Sequence, residues 1–183
     1  MTLLRSLSTA VIGLLLTSAA GAAPTAADVF NRQLKSAESE VVPLIEAMPA
    51  DKFGFAPTNG NFKGVRTFAQ EAKHVAYVLN EVAAGMLGEK NPSTTGKNEN
   101  GPDNLMGRDE IVKYVKDAFA YAHKAMSTLT NENLMGEITD PFDAKKKSTR
   151  VSSASIMLWH SYDHYGQMVE YLRMNGIIPP ASR

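Results

Sequence analysis

The side chains in this sequence with the clearest capacity for chemistry are its four histidines, His74, His123, His160 and His164. In a helix, the four-residue spacing of His160 and His164 is about 400° of rotation, so both rings would lie on one face, one turn apart. That spacing lets two imidazoles bind a single ion. The pair alone is weakly specific, because long helices contain such pairs by chance and a core histidine can simply hydrogen-bond a neighbour.

The environment of the pair strengthens the case for a metal. His160 and His164 lie within a stretch of apolar and aromatic residues: Ile156, Trp159, Tyr162 and Tyr165. Burying two imidazoles this close together without a ligand or partner costs free energy, which a shared cation would offset. His74 lies in another predicted helix that could face this one across a core. Three imidazoles from two helices would form a site with an open coordination position, as catalytic metal sites have.

The absence of cysteine limits what such a site can be. It excludes disulfides, a lipid-modified N-terminal cysteine and thiolate ligands, so any metal must bind nitrogen and oxygen. Three imidazoles suit zinc, nickel, copper or iron, and the ligand set does not choose among them.

Four segments with helical periodicity would position these residues, at about 26–48, from 67 to about 86, 108–129 and 153–175. Thr25 with Asp28, and Thr67 with Gln70, fit helix-starting capping boxes. Pro43 predicts a kink or an early end in the first helix, and Gly166 predicts close approach of another element to the last. Long polar connections separate the helices at 91–107 and 136–150, and no stretch alternates like a strand. The prediction is an all-α four-helix bundle whose topology need not be up-down-up-down.

The N-terminus has the pattern of a secretory signal peptide. Arg5 precedes a compact apolar run from Ala10 to Leu16, and small residues continue to Ala23. We predict a signal peptide at 1–23 and one exported domain, periplasmic or secreted, at 24–183. The alternative is an uncleaved membrane anchor, but the apolar run is short for spanning a bilayer. After cleavage we expect no stable membrane insertion.

The charge balance argues against some partners. Lys+Arg and Asp+Glu both number 19, so the formal net charge is zero, and no basic stripe stands out. We therefore expect neither nucleic acid nor an anionic membrane as a partner. A small-molecule substrate remains the partner class to consider.

Several segments together resemble the DinB-like family of metal-binding four-helix-bundle proteins. The most specific is Trp159-His160-Ser161-Tyr162-Asp163-His164-Tyr165-Gly166-Gln167, followed by Tyr171-Leu172-Arg173, Gly176 and Pro179-Pro180. The segments at 48–53, 56–58, 67–70 and 73–76 are also similar. The resemblance spans about residues 28–180, nearly the whole predicted mature chain.

The resemblance implies three metal ligands, His74, His160 and His164, whereas His123 matches no family ligand. We expect His123 at the surface or at the core boundary. Family members bind divalent metals such as zinc or nickel, and some are thiol S-transferases or metal-dependent hydrolases. A homodimer is also compatible with the resemblance.

Residues one turn from a ligand are candidates to support the site. Asp163 and Glu71 are each three residues from a histidine, and either could orient a ligand ring or act as a catalytic base. Tyr77 and Gln167 could also reach the site. The alternative is that Asp163 and Glu71 are simply solvated and that Tyr77 is core packing.

Three functions remain open at this stage. The first is an exported metal-dependent enzyme, a small-molecule hydrolase rather than a thiol transferase, because low-molecular-weight thiols are most abundant in the cytosol. The second is a non-enzymatic metal-binding or stress-related envelope protein, favoured by the absence of a nucleophile elbow or Gly-rich phosphate loop. The third is a helical bundle with buried histidines and no metal.

Overall fold

The computed structural model describes residues 23–93 and 99–183 and is mostly helical. Its long helices are α1 Ala26–Ala47, α2 Phe68–Leu87, α3 Arg108–Met126 and α4 Arg150–Met174. Two short 3₁₀ turns, Ala50–Lys52 and Pro180–Ser182, follow α1 and α4. The predicted all-α four-helix bundle is confirmed. The predicted signal peptide falls almost entirely outside the described residues, which begin at 23.

The helix starts follow the sequence closely. Thr25 and Thr67 both form capping boxes, with Asp28 and Gln70 as the partners at the N3 position. α1 runs through Pro43 to Ala47, so the proline does not end the helix. α4 starts earlier than predicted because Thr149 caps it, accepting a hydrogen bond from the backbone N–H of Ser152.

The predicted connection between α3 and α4 contains a short antiparallel hairpin, β1 Glu137–Thr139 with β2 Lys147–Thr149. The expectation of no strand was wrong here. Three-residue strands are too short to give a recognisable alternation of apolar and polar side chains. The expected close approach at Gly166 was also wrong, since a Cβ there would meet nothing within 4 Å.

The neighbour relations of the helices place α2 and α4 side by side. α1 and α2 each pack against both α3 and α4, so helices that follow one another in sequence need not be neighbours in the bundle. α2 is the most deeply buried helix and contributes both apolar and polar residues to the interior. None of the helices in the described ranges, 23–93 and 99–183, combines the length and the hydropathy that a membrane span requires.

Loop carbonyls also fix the start of α2. The backbone N–H groups of Phe68 and Ala69 donate to the carbonyls of Phe55 and Phe53, at 2.8 and 2.9 Å. Phe53 is buried and packs edge-on against Phe68, with the ring centroids 5.3 Å apart. The first turn of α2, which includes Glu71, therefore has its free N–H donors satisfied. This fixes the start of the helix one turn before His74.

Candidate metal centre

Three of the four histidines meet where α2 packs against α4. His74 comes from α2, and His160 and His164 come from successive turns of α4. Their ring centroids are 4.4 to 4.9 Å apart. One ring nitrogen from each lies within 4.8 Å of the others, so the three could hold a metal ion.

The nitrogens that face one another are the Nε2 atoms. The Nε2 of His160 lies 3.2 Å from the Nε2 of His74 and 3.2 Å from that of His164. Zinc–imidazole bonds of about 2.0–2.1 Å in a tetrahedral site would place two ligand nitrogens about 3.3–3.4 Å apart. The spacing is therefore close to that of ligands around one small ion.

The opposite nitrogens of two rings have partners that fix their orientation. Nδ1 of His74 lies 2.6 Å from the carbonyl oxygen of Glu99, and Nδ1 of His164 lies 2.5 Å from Oε2 of Glu71. Because carbonyl and carboxylate oxygens accept, both Nδ1 atoms donate, and the neutral rings present Nε2 lone pairs. Metal-bound histidines commonly donate their other N–H to a carboxylate or a carbonyl in this way.

With His160 included, the cluster has more buried ring nitrogens than its N–H protons can pair. A neutral His160 carries one proton, so it can donate to only one of its two Nε2 neighbours. Its Nδ1 is buried and has no hydrogen-bond partner among the described residues. Either tautomer leaves buried nitrogen unpaired, which costs free energy, whereas a cation between the three Nε2 atoms would bind all three lone pairs. The donor set therefore fits a divalent metal.

Burial favours the neutral, metal-binding form of His74 and His160. Desolvation lowers the pKa of His74, and desolvation together with the neighbouring His164 and His74 lowers the pKa of His160 to about 3. At neutral pH protons therefore compete little with a metal ion for the nitrogens of His74 and His160.

The two candidate carboxylates lie in different places. Glu71 is 1% exposed and its Oε2 contacts His164, so it orients that ring. Asp163 lies at the surface, with its Oδ2 3.9 Å from the Nε2 of His164 and 3.3 Å from the Nε2 of Gln167. Gln167 also lies 3.4 Å from the Nδ1 of His164. Asp163 is thus an exposed carboxylate at the edge of the cluster that accepts from Gln167, whereas Glu71 is buried and paired with His164.

Sequence reasoning did not identify the groups that hold Glu99. Arg66 has its Nη2 3.7 Å from the Glu99 carboxylate, and its Nε donates to Asn100 at 2.8 Å. Lys73 donates from Nζ to the carbonyls of Pro102 and Leu105, at 2.8 and 3.3 Å. These bonds tie the segment after residue 98 to α2. They fix a backbone carbonyl, which no residue type at position 99 would reveal.

A groove opens beside the histidines. It has a volume of about 340 Å³, and its walls include His74, His160, Tyr77 and Glu99. Tyr77 is buried, and its ring lies nearly parallel to that of His74, with the centroids 6.5 Å apart. A small molecule in this groove would contact two of the three histidines.

His123 lies away from this cluster, at the boundary between α1 and α3. Its Nδ1 is 2.7 Å from Oδ1 of Asn31, and its Nε2 is 3.6 Å from the Glu38 carboxylate. Its side chain is 27% exposed. No other histidine contributes to this position, in keeping with the expected boundary location.

Known proteins support the same fold. A crystal structure of a DinB-like protein from Bacillus cereus aligns with a TM-score of 0.66 and 16% sequence identity, covering 82% of this chain and 93% of that chain. At this identity the likeness establishes the fold alone. No curated protein sequence matches the chain. The sequence model of the DinB superfamily matches residues 33–168, which is most of the chain, and the protein therefore belongs to the DinB superfamily.

Proposed function

We propose that this protein is an exported metalloprotein that binds one divalent ion through the Nε2 atoms of His74, His160 and His164 and hydrolyses a small molecule. The observation that carries the proposal is the convergence of three Nε2 atoms with no set of protons able to pair them. Zinc or nickel is the expected ion, because both accept imidazole ligands. Export rests on the N-terminal sequence pattern alone.

The side chains around the site would have different roles in such a reaction. A metal bound here would supply Lewis-acid activation of water or of a substrate carbonyl. Glu71 and the Glu99 carbonyl hold two ligand rings in place. Asp163 is the carboxylate near enough to the cluster to accept a proton from water. In hydrolysis of an ester or amide, the acyl C–O or C–N bond breaks, water oxygen bonds to the acyl carbon, and a proton moves to the leaving group.

The metal part of the proposal is tested by elemental analysis of the mature protein, purified from the exported fraction. A His160→Ala/His164→Ala double variant is the comparison, and His123→Ala is the matched control outside the cluster. We expect about one equivalent of metal in the wild type and in the control, and none in the double variant. Absence of metal in all three, even after reconstitution, would overturn the proposal.

A second candidate is a metal-binding envelope protein without catalytic activity. It is favoured by the burial of Glu71 against His164, which leaves the exposed Asp163, itself an acceptor from Gln167, as the remaining candidate base. Turnover of ester or amide substrates by the metal-loaded protein, lost in Asp163→Asn with metal retained, would support the hydrolase. A metal-loaded protein that is inert across a broad substrate panel would support the second candidate.

A further inference from the structure

The groove beside the histidines has walls that differ from the polar cluster at its end. Its lining includes five apolar or aromatic side chains: Tyr77, Val78, Phe142, Ile156 and Trp159. Trp159 is 57% exposed and Phe142 is 53% exposed. Large apolar side chains left open to water around a concave site are typical of ligand-binding surfaces.

Trp159 connects the apolar wall to the metal ligands. Its ring lies edge-on to that of His160, with the centroids 5.7 Å apart. A molecule bound to a metal at the histidines and extending along the groove would therefore contact Trp159. Glu99 is the acidic side chain of the lining, and its carboxylate faces Arg66 at 3.7 Å. The lining of the groove thus offers little attraction to a negatively charged ligand.

Phe142 is held in place although it belongs to the connection between β1 and β2. Oδ1 of Asp140 accepts hydrogen bonds from the backbone N–H groups of Phe142 and Asp143, at 2.9 and 3.0 Å. Pro141 packs against Gly85 of α2, where a Cβ would lie 3.3 Å from the proline ring. These contacts order the turn, so Phe142 is presented to the groove by an ordered backbone.

The size of the groove limits the occupant. Its volume of about 340 Å³ is roughly twice that of a 150 Å³ apolar cavity that binds benzene. One aromatic ring with a short polar substituent fits, and a large polymer does not. Since the polar end is formed by His74 and His160, the substituent must be one that a metal ion can bind.

We propose that the groove binds a small, neutral aromatic acyl compound, with its acyl oxygen toward the histidine cluster and its ring against Trp159 and Phe142. This inference rests on the proposed metal site and names the substrate class for it. It follows from the apolar walls, the size of the groove and its continuity with His74 and His160. An aliphatic acyl compound of the same head group would lose the contact with both aromatic side chains.

Two hydroxamates test the inference with the metal-loaded protein. Benzohydroxamate and acetohydroxamate share a metal-binding head, and only the first carries an aromatic ring. We expect benzohydroxamate to bind at least about tenfold tighter, which is about 1.4 kcal/mol and a modest part of what burying a ring contributes. Trp159 is the single tryptophan of the chain, so its fluorescence reports binding directly, with calorimetry as the second readout.

Variants assign that preference to the groove. Trp159→Ala and Phe142→Ala should each lose most of the ratio between the two hydroxamates while keeping about one equivalent of metal. Met135→Ala is the control, because Met135 is 73% exposed and is not part of the groove. A ratio near one in the wild type, or a full ratio in both groove variants, would overturn the inference.

A failure of the metal site is distinguishable from a failure of the groove. If the protein takes up no metal, the proposed function fails, and benzamide and acetamide replace the hydroxamates as probes without a strong metal-binding head. Saturable quenching of Trp159 by benzamide, absent with acetamide and weakened in Phe142→Ala, would still support the groove. No difference between the two amides would overturn it.

Discussion

Two histidine environments in the same bundle differ in one decisive respect. At the contact of α2 with α4, three rings present their Nε2 atoms to one another. The Nδ1 atoms of two of these rings are hydrogen-bonded to Glu71 and to the Glu99 carbonyl. Between α1 and α3, a single His123 contacts Asn31 and Glu38. His123 is a single ring whose Nδ1 is hydrogen-bonded and whose Nε2 has no hydrogen-bond partner among the described residues, so it offers one ligand atom at most. The cluster offers three converging nitrogens to one ion.

The comparison is instructive because both environments contain a carboxylate near an imidazole. Glu71 approaches His164 from the side opposite the cluster and so leaves Nε2 free, whereas Glu38 lies 3.6 Å from the Nε2 of His123 itself. The direction from which the carboxylate approaches therefore decides whether a ring is available to a metal.

Metal removal should have the largest effect. We expect chelation to lower the free energy of unfolding of the wild type by about 4 kcal/mol relative to protein with free metal at 1,000 times Kd. His123→Ala should show the same metal-dependent shift, because its ring lies outside the cluster. The measurement is chemical denaturation with and without chelator. A shift of equal size in His160→Ala/His164→Ala would place the stabilising metal elsewhere.

Removing the Glu71 carboxylate that pairs with His164 should have the next largest effect. We expect Glu71→Gln to weaken metal binding by about 10–100-fold, as is typical when the residue orienting a ligand is changed. Asn31→Ala, which removes the corresponding partner of His123, should leave metal affinity unchanged. Competition with a chromogenic chelator measures both, and circular dichroism checks that each variant is folded. Equal losses in the two variants would remove the distinction between the two environments.

Acid should destabilise the metal-free protein through the cluster. The pKa of His160 is lowered to about 3, mainly by desolvation, so the folded state stays neutral while the unfolded state takes up a proton below its ordinary value of 6.5. Stability is therefore full above pH 6.5 and falls toward lower pH, by about 2 kcal/mol at pH 5. Denaturation curves at several pH values measure this. His160→Gln should flatten the dependence, and an unchanged slope would contradict the assignment.

Substitution of either capping threonine should have the smallest effect. Thr25→Ala and Thr67→Ala should each cost about 1 kcal/mol of stability, since each removes the side-chain acceptor at a helix start. We expect only Thr67→Ala to weaken metal binding as well, because α2 carries Glu71 and His74 just after this cap. Thermal unfolding and zinc titration of both variants test this, and matched metal affinities would show that the cap does not position the site.

Much of the scaffold could be predicted from sequence because its signals are local. The Thr–Asp and Thr–Gln caps and the apolar spacing of the helices involve residues within one or two turns of one another. The hairpin between α3 and α4 could not be predicted, since β1 and β2 have three residues each. Neither strand is long enough for a pattern.

The residues of the site also separate into those that could be predicted from the sequence and those that could not. The spacing of His160 and His164 on one helix face is visible in the sequence, which also offers His74 on a second helix as a third ligand, and the resemblance to the DinB-like family implies the same three residues. Glu71 and Asp163 had equal standing as candidates, because sequence cannot tell which one faces the core. The structure separates them, since Glu71 is buried against His164 while Asp163 is exposed. The Glu99 carbonyl and the position of Phe142 depend on loop geometry, for which the sequence has no local signal.

The central claim is that the α2–α4 histidines form one metal site and that the fourth histidine does not contribute to it. Calorimetric titration of the metal-free protein with Zn²⁺, for the wild type and for each of the four single His→Ala variants, tests it most directly. The account predicts one site of unchanged affinity in His123→Ala. For each of the other three variants it predicts a loss of Zn²⁺ affinity that exceeds the loss of about 10–100-fold expected when only an orienting residue is changed. Wild-type affinity in any of those three, or a loss in His123→Ala, would contradict it.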